Sequence, residues 1–118
     1  MHELGIATSI LETVEAQAQR NPGARFVEVG VRIGAVAGVD VDSLTFGWEA
    51  IVKDTQWESL TLKVEWVPRI NECSDCGKKF EVKDFEIECP KCRSLNTVPI
   101  SGEELDIAYI EAEEEVTA

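Results

Sequence analysis

The sequence predicts an α+β fold: a small three-stranded antiparallel sheet with two helices, plus an inserted four-cysteine zinc-ribbon module. Apolar residues recur at helical spacing in two segments and alternate at strand spacing in three others. Two Cys-x2-Cys pairs sit between the second strand and the third.

From Glu3 to Gln19, Leu4, Ala7, Leu11, Val14 and Ala18 form a helical stripe that Ile6 and Ile10 widen. Asn21-Pro22-Gly23 stops that helix. Val27, Val29, Val31 and Ile33 then alternate with Phe26, Glu28, Gly30 and Arg32, which is strand spacing. A glycine-containing connection from Gly34 to Gly38 leads to Asp40, Asp42 and Ser43, all competent helix caps. Val41, Leu44, Trp48, Ile51 and Val52 suit a second amphipathic helix, closed by Asp54-Thr55. Leu60, Leu62, Val64 and Trp66 give a second strand ended by Pro68, and Leu105, Ile107 and Tyr109 a third. The expected division is a helix–strand–helix–strand domain over 1–69, the ribbon over 70–98, and a returning strand with an acidic tail over 99–118. The third strand rejoins the first domain, so the two are not separable along the chain.

At 118 residues, the chain supports one modest core and one metal-stapled appendage. Its 44% hydrophobic and 29% charged content is ordinary for a globular protein. No apolar run approaches the roughly 20 residues that span a bilayer. The opening MHELGIATSI has no basic segment before an apolar one, so no secretory signal is expected. A cytoplasmic location and no membrane partner follow as expectations, and in that compartment paired cysteines hold metal more often than they form disulfides. The net charge of −12 argues against nucleic acid, whose binders present excess Lys and Arg to phosphates. Residues 101–118 hold seven acids and no Lys or Arg. A solvated surface explains most of this, with steering of cations or of a basic partner as the sharper reading.

Cys73-Ser-Asp-Cys76-Gly77 and Cys89-Pro90-Lys91-Cys92 are two Cys-x2-Cys pairs separated by twelve residues. Two thiolates three positions apart in a tight turn grip one ion, and two such turns facing each other complete a tetrahedron. Phe80, Val82, Phe85 and Ile87 between them offer too little apolar surface to fold the segment alone, and metal binding supplies what is missing. A closed four-thiolate site suits structural zinc. Iron is the serious rival, ahead of disulfides or unligated thiols.

His2 is the one histidine of the chain. With the amine of Met1 and its own amide nitrogen, its imidazole can close two fused chelate rings, in a tetragonal geometry that suits Ni(II) or Cu(II). The bulk of His2 also hinders removal of Met1. Glu3 and Asp40 can add oxygen ligands, if Asp40 lies beside the start of the first helix. Alternatively, both are acids favoured by a helix N-terminus.

These features together resemble the hydrogenase maturation protein HypA. The likeness spans nearly the whole chain: Met1-His2-Glu3, Ile33-Gly34, Ser43-Leu44-Thr45-Phe46, the paired cysteines, and Ser101-Gly102-Glu103-Glu104-Leu105 leading into Ile110-Glu111. The resemblance implies nickel at His2 and zinc at Cys73, Cys76, Cys89 and Cys92. It also implies a metallochaperone rather than an enzyme, working with the GTPase HypB to load the large-subunit precursor of [NiFe]-hydrogenase. Urease maturation proteins are a further partner that the resemblance allows. No histidine lies near the cysteines, so schemes in which the zinc module lends an imidazole to nickel are unavailable here. Two other readings compete with a chaperone. A rubredoxin-like electron carrier would hold iron. A zinc-ribbon accessory module for nucleic acid is disfavoured, because Lys78, Lys79, Lys83, Lys91 and Arg93 only nearly balance the ribbon's six acids.

Overall fold

The structure is a computed structural model and describes residues 3–114. The elements run α1 (Glu3–Arg20), β1 (Ala24–Gly34), α2 (Val41–Val52), β2 (Thr61–Val67), β3 (Ile70–Cys73), β4 (Lys79–Glu81), β5 (Thr97–Ser101) and β6 (Leu105–Glu114). They build two three-stranded sheets, ordered β2-β1-β6 and β4-β3-β5. The expected α+β class with small antiparallel sheets is what forms. The three long strands are the ones the alternating pattern marks. β3, β4 and β5 are additional, all at the cysteine segment.

Compact units divide the chain as 1–31, 39–65 and 106–118 in one, and 32–38 with 66–105 in the other. Three of the boundaries fall inside β1, β2 and β6, and the fourth in the connection between β1 and α2.

The first unit has an ordinary apolar core. α1 buries Ile6, Ala7, Ile10 and Val14, whereas Leu4 is half-exposed. The stripe is thus centred on Ile6 and Ile10, the residues that sequence spacing placed at its flank. Both assignments satisfy a 3.6-residue period, and only tertiary packing chooses between them. α1 packs against α2, which turns Leu44, Gly47, Trp48 and Val52 inward. At Gly47 a side-chain carbon would lie 3.7 Å from Leu4 Cδ1 and 3.8 Å from Leu4 Cα, so the first turn of α1 rests on the middle of α2. Trp48 is buried, and its indole N–H donates to the Leu60 carbonyl at 3.2 Å, which satisfies its one polar atom. α2 ends at Val52, with Asp54 in the left-handed region (φ 62°) and the Thr55 N–H donating to the Val52 carbonyl at 3.0 Å.

In the second unit, the chain leaving β1 is held on two sides. Gly34 donates to the Glu104 carbonyl (2.7 Å), Ala35 to Val67 (2.9 Å) and Val36 to Gly102 (2.8 Å). A side chain at Gly34 would meet the Gly102 carbonyl oxygen at 2.0 Å, and one at Gly102 (φ 109°) would meet Arg69 Cα at 2.7 Å. Backbone meets backbone at both places, so only glycine fits. β3 pairs antiparallel with β4 on one side and β5 on the other. Pro99 and Ser101, expected with the returning strand, pair with Asn71 and Ile70 of β3 instead. Asn71 is fully buried. It accepts from Arg69 Nε (3.3 Å) and donates to Thr97 Oγ1 (3.1 Å), which donates to the Ile87 carbonyl (2.7 Å). The buried amide of Asn71 is thereby bonded through both its oxygen and its nitrogen, as a buried polar group requires.

Tyr109 lies over Gly30 in the first unit, and its hydroxyl donates to Glu28 Oε2 at 2.6 Å. That hydrogen bond, then burial and the charges of Glu28, Glu111 and Glu65, push the phenol up to about 12. The folded value exceeds the ordinary one of about 10, so this contact stabilises the fold below pH ~10 and its contribution is lost as pH rises through the folded value. Tyr109 is the single tyrosine, so phenolate absorbance reads it alone. Glu28→Gln is expected to move the midpoint back towards 10; an unmoved midpoint would show that Glu28 is not the cause.

Candidate metal centre

Each cysteine pair is presented by a backbone knuckle, and the two knuckles are built alike. In the first, Cys73 N–H donates to the Lys78 carbonyl (2.9 Å) and Gly77 N–H to the Cys73 carbonyl (2.8 Å). In the second, Cys89 N–H donates to Ser94 (2.9 Å) and Arg93 N–H to Cys89 (2.8 Å). Gly77 and Arg93 thus occupy equivalent positions, both left-handed, with φ of 80° and 63°. Glycine adopts this at no steric cost, while arginine does so under strain. Arg93 is thus the counterpart of Gly77, a role that its residue type does not flag in the sequence.

All four sulfurs lie within 4.8 Å of one another. The closest pairs cross between knuckles, Cys73–Cys92 and Cys76–Cys89, each at 3.5 Å. The four cysteines are free thiols, and 3.5 Å is far beyond a disulfide bond. A Zn–S distance of about 2.3 Å sets tetrahedral sulfurs about 3.8 Å apart, so the cluster has the dimensions of a single four-thiolate ion site. Cys73 and Cys89 are buried, while Cys92 is exposed. Cys92 N–H also points at Cys89 Sγ at 3.5 Å.

Crowding splits the acidities of these thiols. Burial works to raise Cys89, but the backbone groups of Cys92 and Lys91 and the sulfurs of Cys76 and Cys92 bring it down to about 6. At Cys92 the Ser94 backbone favours the thiolate, yet the Cys73 sulfur, burial, and Cys76 and Cys89 push it up to about 12. Cys76 is raised too: the Lys78 backbone lowers it, and burial with the Cys89 and Cys73 sulfurs outweighs that. Neighbouring thiolates repel, so all four ionise together only around a cation.

Among the other expected site residues, Asp40 is exposed and is the N-cap of α2, where its Oδ1 accepts from Ser43 N–H at 3.1 Å. Glu3 is partly buried in the first turn of α1. That turn meets α2 at Gly47, about 10 Å along the axis from Asp40 at 1.5 Å per residue. Met1 and His2 lie outside the described residues. Among the described residues, no helix is long and apolar enough to cross a membrane.

The family model described as "Hydrogenase/urease nickel incorporation, metallochaperone, hypA" matches residues 1–112. The chain belongs to the HypA family. The hydrogenase maturation factor HypA of Pelodictyon phaeoclathratiforme is 38% identical over 115 residues, covering 98% of each chain. That of Geobacter metallireducens is 38% identical over 113 residues, covering 96% of this chain and all of its own. A HypA protein solved in solution superposes with a TM-score of 0.71 at 24% identity, covering 98% of both chains. The Ni metallochaperone HypA from Helicobacter pylori gives a TM-score of 0.64, also at 24% identity, covering 98% of this chain and 100% of its own. At that identity the two solved structures speak for the fold. By family, this chain is a metallochaperone for nickel incorporation in hydrogenase maturation and not an enzyme.

The equivalence of the two knuckles carries a stability test. Arg93→Gly is expected to raise the thermal stability of the metal-loaded protein by about 0.5–1 kcal/mol, and Gly77→Ala to lower it by about 1 kcal/mol. Melting curves of the two variants check this, and a destabilised Arg93→Gly protein would contradict the strain assigned to Arg93.

Proposed function

We propose that this chain binds Ni(II) at its N-terminus, through His2 with the amine of Met1, and delivers it to the [NiFe]-hydrogenase large-subunit precursor. One observation supports this most directly. The four cysteines of the chain gather at one closed site, which leaves no thiolate for a cargo ion. Cargo therefore needs nitrogen and oxygen ligands, and His2 is the one imidazole available. An N-terminal amine, amide and imidazole chelate favours the tetragonal geometry of Ni(II), whereas four thiolates favour tetrahedral zinc. The two ions are thereby sorted by ligand type.

In this reading Cys73, Cys76, Cys89 and Cys92 hold structural zinc, and residues 1–69 with the returning strand form the nickel-binding domain. Glu3 contributes a carboxylate at the start of α1. Asp40 is the weaker candidate, since its carboxylate caps α2 and the first turn of α1 rests further along that helix. The GTPase HypB is the partner for release of nickel, urease maturation proteins are further recipients, and the work takes place in the cytoplasm.

Nickel titration of native protein, His2→Ala, and protein extended by one residue before Met1 tests the site. Both changes are expected to abolish high-affinity nickel binding and leave zinc content unchanged. Native affinity is expected to fall as pH drops through about 6.5, where the imidazole takes a proton. If His2→Ala binds nickel as native protein does, the cargo site lies elsewhere.

A further inference from the structure

The two knuckles are joined by a side-chain contact that metal ligation does not account for. Ser94 Oγ donates to Asp75 Oδ2. Asp75 lies between Cys73 and Cys76 in the first knuckle, and Ser94 closes the second through its carbonyl, which accepts from Cys89 N–H at 2.9 Å. Asn96 N–H donates to Ser94 Oγ at 3.0 Å, so the hydroxyl keeps its proton for Asp75. Ser74 N–H donates to the Asn96 carbonyl at 2.9 Å, a second strap from the first knuckle to the segment behind the second.

We propose that Asp75 and Ser94 form a latch that holds the two knuckles face to face and so sets how tightly the four-thiolate site retains its metal. The latch rests on the reading of Cys73, Cys76, Cys89 and Cys92 as one metal site. Neither residue touches the ion; both are positioning residues. The sulfur pairs at 3.5 Å are formed across the knuckles, so any separation of the knuckles opens the tetrahedron. An oriented hydroxyl donating to a carboxylate is among the stronger hydrogen bonds, and it links the two segments that must separate. Contacts outside the ligand shell that orient metal ligands commonly govern affinity in this way.

The latch and simple electrostatics predict opposite signs. Four thiolates around Zn2+ carry a net charge of about −2, so a nearby carboxylate repels the loaded site. If charge were all that Asp75 contributed, Asp75→Ala would bind zinc more tightly. As half of a latch, its loss binds zinc more weakly.

The test is competition for zinc between a chromophoric chelator and the full-length protein as native, Asp75→Ala, Asp75→Asn, Ser94→Ala and the double Ala variant. Absorption of the cobalt(II) forms reports whether each keeps four-thiolate coordination. Asp75→Ala and Ser94→Ala are each expected to lose roughly ten-fold or more in zinc affinity. The double variant should lose no more than either single one, because both remove the same contact. Asp75→Asn, which keeps an acceptor oxygen but loses the charge assistance, is expected to fall between native protein and Asp75→Ala. Zinc bound as tightly or more tightly by Asp75→Ala, or additive losses in the double variant, would overturn the latch. If native protein itself lacks the four-thiolate cobalt spectrum, the metal-site reading fails, and the latch falls with it.

Discussion

Bringing four sulfurs within 4.8 Å of one another is the constraint on which the second unit depends. Between residues 70 and 101 the buried side chains are Asn71, Cys73 and Cys89. The apolar residues there mostly face outward: Phe85 is 90% exposed and Leu95 70%. Its sheet is made of strands of four, three and five residues. So little buried apolar area cannot offset the entropy of ordering the segment, and ligation of an ion by the four thiolates, as proposed above, supplies the missing term. The hydrogen-bonded chain from Arg69 through Asn71 and Thr97 to Ile87 then fixes the sheet beside the metal centre.

The first unit is organised on the opposite principle. Ile6, Ala7, Ile10, Val14, Val29, Val31, Leu44, Trp48 and Val52 are buried there, a core that needs no ion. Its described residues begin with the first turn of a long helix, seated on α2 at Gly47. Positive helix ends disfavour cations, so a nickel site placed there requires carboxylate or deprotonated nitrogen ligands. Glu3 places a carboxylate in the first turn of α1, where the proposed site would use it. A permanent ion in soft ligands and a transient one in harder ligands is a division that a chaperone needs, because only the transient ion has to leave.

Much of this was legible in the sequence, for reasons that differ by element. Alternation along Val27 to Ile33 marks β1 because one face of that strand is buried, and Val29, Val31 and Ile33 are. Asp40 is readable as a cap because only a few side chains reach back to a helix N-terminus, and it does accept from Ser43. The cysteine spacing announces its own geometry. What stayed hidden is what depends on contacts between distant segments. β3, β4 and β5 are too short to show a period. The centring of α1 on Ile6 and Ile10 is decided by packing against α2. Gly34 and Gly102 belong to the motifs that mark the family resemblance, but their reason, backbone pressed on backbone, is visible only once folded. Asp75 and Ser94 read as ordinary surface residues until the knuckles face each other.

The central claim is that two different ions occupy two chemically distinct sites in one chain. X-ray absorption at the zinc and nickel edges of one sample loaded with both metals addresses it most directly. Four sulfurs at about 2.3 Å are expected around zinc, with nitrogen and oxygen ligands and no sulfur around nickel. Sulfur in the nickel shell, or nitrogen and oxygen in place of thiolates around zinc, would contradict it.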